Sequence, residues 1–139
     1  MAGYSKRALI DKLGIKPGMR VLMINAPSNY EATLGPIPDG VRMLSRLSGI
    51  LDFIHFFTKS RAEYEQQLLA LKAHLAQNGM LWISWPKGAA KVPTDMNENS
   101  VRDFALAHGL VDIKVAAIDE VWSGLKLVIP VAQRVIECN

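Results

Sequence analysis

Lysine, serine and arginine stand together at Lys59-Ser60-Arg61, where the apolar run Leu51 to Phe57 gives way to a helical pattern. A helix opening there aims free N–H groups and a partial positive charge at whatever precedes it. Lys59 and Arg61, with Lys87 and Lys91 from a later loop, would add cations suited to a small anionic ligand. The plainer reading of these residues is a capped helix with solvated loop charges. His55 lies inside the same apolar run, and an imidazole there could act as a general acid or base. Strand alternation puts it on the face opposite Ile54 and Phe56 with no carboxylate paired to it, so a hydrogen-bonded, partly buried histidine is the alternative. Trp85, next to Pro86, could stack a planar ligand, with Tyr30 as its expected aromatic neighbour across a pocket.

Other side chains point to less. His74 and His108 have no paired ligand spacing, and Cys138 is the only cysteine, so neither a metal site nor an internal disulfide is expected. Asp52, Asp119 and Glu120 form no spacing that implies paired acid-base work, and no residue is assigned a catalytic role.

Strands must carry these side chains to one rim. Val21 to Ile24, Leu51 to Phe57 and Met80 to Trp85 are continuous apolar runs, the pattern of strands covered on both faces. Ser5 can cap a first helix that Gly14 ends, a short helical turn is expected from Ser28 to Leu34, and Val41 to Leu44 suffices for a brief edge strand. Ser60-Arg61-Ala62-Glu63 matches a capping box. The helix it starts carries Tyr64, Leu68, Leu71 and Leu75 on one stripe, with Asn78-Gly79 as its expected stop. Pro86 to Pro93 reads as a loop and Asn97 to His108 as another helix. Val111 to Ile118 and Leu125 to Ile129 close the chain as antiparallel strands. The expected architecture is α/β: a three-layer mixed sheet, mostly parallel, with a C-terminal antiparallel hairpin. In such sheets ligands bind outside the carboxyl ends of the strands, which gathers Asn25 to Tyr30, His55 to Arg61 and Trp85 to Lys91.

Composition sets outer limits. The 139 residues, 50% hydrophobic and 21% charged, match one soluble domain, with a core over about 5–130 and a tail over 131–139. Sixteen basic and 13 acidic side chains leave a net charge of +3 without a basic block, so nucleic acid is not an expected partner. No run approaches the roughly 18 apolar residues of a membrane span, and a cytoplasmic protein without a membrane partner is expected.

The first strand and its loop, KLGIKPGMRVLMINAPSNY, with the Leu75-Ala76-Gln77-Asn78-Gly79-Met80-Leu81 unit and the terminal hairpin, resemble the Rossmann-like fold of S-adenosylmethionine-dependent methyltransferases. More closely, KLGIKPG, GMLWISWPK, VPTDM and Trp122-Ser123-Gly124-Leu125 resemble a bacterial domain-of-unknown-function family. The resemblance implies a fold one helix-strand unit shorter than the full one, the gap falling between Leu44 and Asp52. It also implies a glycine loop, here occupied by Asn25, Ala26 and Pro27. An acidic residue in the first strand is replaced by Met23, and a ribose-binding carboxylate after the second strand by Ser45-Arg46. Pro27 removes an N–H donor.

These departures make a non-catalytic ligand-binding or interaction domain, with no cofactor and a small anionic ligand or a protein as partner, the leading expectation. Its rival is a divergent methyltransferase that holds S-adenosylmethionine through Asn25, Ala26, Ser28 and Asn29. A third reading is a self-associating subunit, a homodimer joined through an edge strand extended by Val131 to Ile136. For either ligand the candidate residues are Asn25, Ala26, Ser28, Asn29, Tyr30, His55, Ser60, Arg61, Trp85 and Lys87.

Overall fold

Val21 and Leu22 begin the core, because a β-strand sends successive side chains to opposite faces and both faces here are covered. The structure is a computed structural model that describes residues 8–134. Its strands are β1 (Arg20–Ile24), β2 (Arg42–Leu44), β3 (Leu51–Phe57), β4 (Leu75–Pro86), β5 (Val111–Ala117) and β6 (Trp122–Val128), and its helices are α1 (Leu9–Leu13), α2 (Tyr30–Leu34), α3 (Arg61–Ala73) and α4 (Glu98–Ala107). One six-stranded sheet runs in the order β2-β1-β3-β4-β6-β5. β1 is parallel to β2 and β3, and β3 to β4, whereas β6 is antiparallel to β4 and β5. This is the expected mixed α/β sheet with its terminal hairpin.

Two apolar clusters lie on the two sides of the sheet. On one, Val21, Phe53, Phe57 and Trp82 pack with Leu9, Leu13, Tyr30 and Leu34 of α1 and α2. On the other, Leu22, Ile54, Phe56, Ile83 and Trp85 pack with Tyr64, Leu68 and Leu71 of α3 and Val101 and Ala105 of α4. Between β2 and β3, residues 45–50 form neither helix nor strand, so among the described residues the sheet ends at β2, a three-residue edge strand.

The expected boundaries shift where tertiary pairing overrides local signals. α3 stops at Ala73 and not at Asn78-Gly79, because the His74 carbonyl accepts from Leu51 N–H at 2.7 Å and Leu75 already pairs with Leu51. The next aligned pair is Phe53 with Met80, so β4 bulges over Ala76 to Gly79. Gly79 answers a close approach there, since a Cβ would lie 3.0 Å from the Asp52 carbonyl oxygen and 3.1 Å from that of Ala76. β6 starts at Trp122, ahead of the expected Leu125, because Asp119 Oδ1 accepts from the backbone N–H groups of both Val121 and Trp122 at 2.8 Å and closes the turn. Gly14 ends α1 at a left-handed φ of +97°, as expected, while the proposed cap Ser5 lies outside the described residues. Of the expected edge extension, Val131–Gln133 form a single 3-10 turn, Arg134 follows it with its guanidinium donating to the Ile129 carbonyl at 3.0 Å, and residues 135–136 lie outside the described residues. Among the described residues no helix is long and apolar enough to cross a membrane.

Candidate functional site: the crevice at the ends of β1 and β3

β1 sends the chain outward to β2, and the chain then returns across β1 to β3 on its other side. That reversal of strand order makes the carboxyl ends of β1 and β3 the place where a crevice must open. Asn25 follows β1 there with φ at +60°, in the left-handed region that glycine or asparagine tolerates best. The glycine-like backbone conformation therefore survives the loss of glycine. Its side chain bridges the two strands, Nδ2 donating to the Phe57 carbonyl at 3.1 Å. Pro27 has no N–H to give, but its carbonyl accepts from Tyr30 N–H at 3.0 Å and turns the chain into α2.

Concavities open on both sides of Asn25. One of about 370 Å³ is walled by Phe57, Thr58, Lys59, Ser60 and Trp122, with the Trp122 ring edge-on to Phe57 at 5.2 Å. The other, about 350 Å³, lies between Ile24, Ser45, Arg46, Leu47 and Gln67. Together they present an exposed amide, hydroxyl groups, an ammonium and a guanidinium beside apolar walls.

The helix opening at Ser60 is built more elaborately than a capping box. Ser60 Oγ accepts from Glu63 N–H at 3.1 Å as expected, but Glu63 does not reach back to Ser60. Its Oε1 accepts from the Thr58 hydroxyl at 2.5 Å, and the Thr58 oxygen accepts from Ser60 N–H at 3.1 Å. Asp95 then fills the place an anion would take, its Oδ1 accepting from Arg61 N–H at 2.7 Å. The Arg61 guanidinium is turned to Glu65 at 2.9 Å. The expected anion site at this helix is thus corrected: the chain supplies its own carboxylate. Lys59 still lines the crevice, while Lys87 stands on a separate loop, held by its N–H donating to the Val121 carbonyl at 2.8 Å.

His55 is wholly buried, 0% exposed, and not at the rim. The Tyr30 hydroxyl lies 2.6 Å from its Nδ1, Ser84 Oγ lies 2.7 Å from its Nε2, and the Phe57 ring stacks on it at 4.0 Å. Burial pushes the imidazole pKa down to about 3 and holds the Tyr30 phenol far above its ordinary value. A neutral, sealed imidazole cannot exchange protons with a ligand, so the catalytic reading of His55 gives way to the structural one. Ser84 carried a legible signal: it is a lone hydroxyl in a buried strand, on the same face as Trp82. The expected pairing of Tyr30 with Trp85 is also corrected. Tyr30 packs among α1 and α2, whereas Trp85, 5% exposed, packs on the opposite side of the sheet with α3 and α4. The Trp85-Pro86 bond is trans.

The structure brings Asn25, Lys59 and Ser60 together and leaves Ala26, Ser28 and Asn29 exposed on the adjoining loop. Asp95 and Gln67 escape sequence reading because the residues they meet lie on elements remote along the chain, whereas Thr58 bonds Ser60 and Glu63 close by in sequence. Among the described residues no three His, Cys, Asp or Glu side chains converge as a metal ion would require.

Solved structures share this fold. A fibrillarin from Aeropyrum pernix with natively bound S-adenosyl-L-methionine matches with a TM-score of 0.58 at 12% identity, over 84% of this chain and 69% of its own. Magnesium protoporphyrin IX methyltransferase from Synechocystis with bound S-adenosylmethionine matches at 0.58 and 11%, over 88% and 74% of the two chains. A methyltransferase dependent on the same cofactor, from Aquifex aeolicus, matches at 0.54 and 17%, over 87% of each. No protein-family profile and no curated protein matches the sequence, so the resemblance to a bacterial family of unknown function gains no support from either.

Proposed function

We propose that this chain is a divergent methyltransferase domain that binds S-adenosylmethionine at the carboxyl ends of β1 and β3. The observation that carries the proposal is Asn25: it holds the left-handed backbone a glycine loop needs, at the reversal of strand order, with a cavity on either side. The same fold holding the same cofactor in the fibrillarin and the magnesium protoporphyrin enzyme supports the cofactor over the cofactor-free reading that the departures in the loop favoured.

The residues present fit the group in kind. Lys59 suits the carboxylate of its amino-acid end and Glu63, which lines the same cavity, its ammonium, while the Gln67 amide and Ser45 hydroxyl offer acceptors for sugar hydroxyls where the missing carboxylate would have stood. When bound, the cofactor supplies an electrophilic methyl group on a cationic sulfur. The chain's part is to orient and to exclude water, with Trp122 and Phe57 forming the dry wall. Glu63 is committed to Thr58 and His55 is sealed. The acceptor this crevice suits is therefore a nucleophile that needs no proton removed by the protein.

That same shortage of a free base favours a second reading, a domain that binds the cofactor or a related nucleoside without transferring a group. Calorimetric titration with S-adenosylhomocysteine tests the shared premise: saturable binding is expected, and no heat at millimolar ligand would sink both. Formation of S-adenosylhomocysteine from S-adenosylmethionine with an acceptor panel would then separate transfer from binding alone.

A further inference from the structure

A larger cavity, about 760 Å³, adjoins the crevice across Met23 and the loop after β1, on the α2 side of the sheet beneath the β1–β2 edge. Its size is that of a small-molecule pocket. Among the described residues the fold explains why it is open: α2 is only five residues long, residues 45–50 contribute no helix, and no other described element covers this end of the sheet. Met23, Leu34, Met43 and Ile37 form its walls, with Pro27 and Pro36 at its rim. Met43 and Ile37 are 49% and 44% exposed, a large apolar surface to leave in water.

Among the described residues, Glu31 is the one charged side chain that lines it. None of its described neighbours gives the carboxylate a hydrogen bond or a salt bridge, although carboxylates at the opening of α3 are engaged: Glu65 with Arg61, Glu63 with Thr58 and Asp95 with Arg61. An apolar chamber with two pliable thioethers and one unpaired negative charge selects a ligand with the complementary pattern.

We infer that this cavity is a binding site for a compact apolar molecule bearing a protonated amine, its hydrocarbon body between Met23 and Met43 and its ammonium at Glu31. An anionic ligand of the same shape would bring like charge to Glu31, and a neutral one would gain nothing from it. The site adjoins the cofactor crevice, with which it shares Met23 and the loop after β1 as walls, while Glu31, Ile37 and Met43 line this cavity and not the crevice.

Matched rigid probes test the inference: 1-adamantylamine and 1-adamantanecarboxylate, titrated into protein carrying ¹³C-labelled methionine methyl groups and followed by NMR. Saturable shifts of the Met23 and Met43 methyl signals are expected with the amine, with an affinity about fivefold or more above the carboxylate's, in line with one partly exposed ion pair set against one repulsion. Glu31→Gln, on an exposed position, should fold normally and erase that preference. Equal affinity for the two probes, or a preference that survives Glu31→Gln, would overturn the inference. So would Met23 and Met43 signals that respond only to protein concentration, which would assign the cavity to a second copy of the chain. S-adenosylhomocysteine added to the same samples reads the crevice, and the Met43 methyl, which lines the larger cavity and not the crevice, reports the amine site by itself, so either site can fail without the other.

Discussion

The Tyr30 hydroxyl and His55 Nδ1 stand 2.6 Å apart, and they join a strand to a helix through a polar link set inside an apolar core. With Ser84 on the other ring nitrogen at 2.7 Å, every polar atom of the imidazole is satisfied and none reaches water.

Acid should therefore loosen the fold well before carboxylates titrate. The His55 pKa is pushed from its ordinary 6.5 down to about 3, so the unfolded chain binds the proton first. Stability is full above about pH 6.5, falls as pH drops below it, and stops falling on this account near pH 3. At pH 5 the loss is about 2 kcal/mol. Urea denaturation at pH 7.5 and pH 5 measures it, and His55→Gln should show a much flatter difference between the two.

Ser84→Ala removes one end of the link and leaves Nε2 buried without a partner. A cost of about 1–3 kcal/mol is expected at neutral pH, read as a lower urea midpoint with an unchanged slope. A loss below a few tenths would mean that water or a shifted ring restores the bond.

Gly79→Ala tests the bulge in β4. The new methyl group would press on two carbonyl oxygens, those of Asp52 and Ala76, at 3.0 and 3.1 Å, and backbone cannot swing aside as a side chain can. Destabilisation of about 1–3 kcal/mol is expected, although alanine is the better residue in an unconstrained strand.

At the mouth of the crevice, Asn25→Gly keeps the left-handed backbone and loses only the bond to Phe57. Asn25→Val cannot hold φ at +60° without strain of roughly 1–3 kcal/mol. Thermal denaturation should rank valine well below glycine. Binding of S-adenosylhomocysteine should follow the same order, and a valine variant that binds as wild type would remove the loop from the site.

Asp95→Ala takes the carboxylate from the first turn of α3. Ser60 still caps the helix, so about 1 kcal/mol should be lost and no more. Added phosphate should not restore it if the site is purely internal.

Much of the architecture could be read from local pattern. Leu51 to Phe57 and Met80 to Trp85 are buried strands because apolar residues on both faces leave few other options, and the stripe of Tyr64, Leu68 and Leu71 faces the sheet as its spacing requires. Local pattern failed where a remote strand competed for the chain. Asn78-Gly79 looks like a helix stop, yet Leu51 captures Leu75 before the helix can reach it. The site was legible only as a rim. Nothing near Arg61 in sequence announces Asp95, and nothing in Trp85 says which side of the sheet it faces until the register against Ser123 is known. His55 was readable as a histidine in a strand, but its exposure depended on α2 bringing Tyr30 over it.

The position of β6 between β4 and β5 bears on how the chain can be made. A ribosome releases β5 before β6, and in the finished sheet β5 pairs with β6 alone. Until Trp122 to Val128 emerges, β5 has no neighbour and the β4 edge from Leu81 to Pro86 is bare. Of the described strands, the last to be synthesised is thus the one that completes the interior of the sheet. A nascent chain halted at the hairpin turn carries an unpaired apolar edge, a template for association with other chains, so translation must pass Val128 before the protein can protect itself.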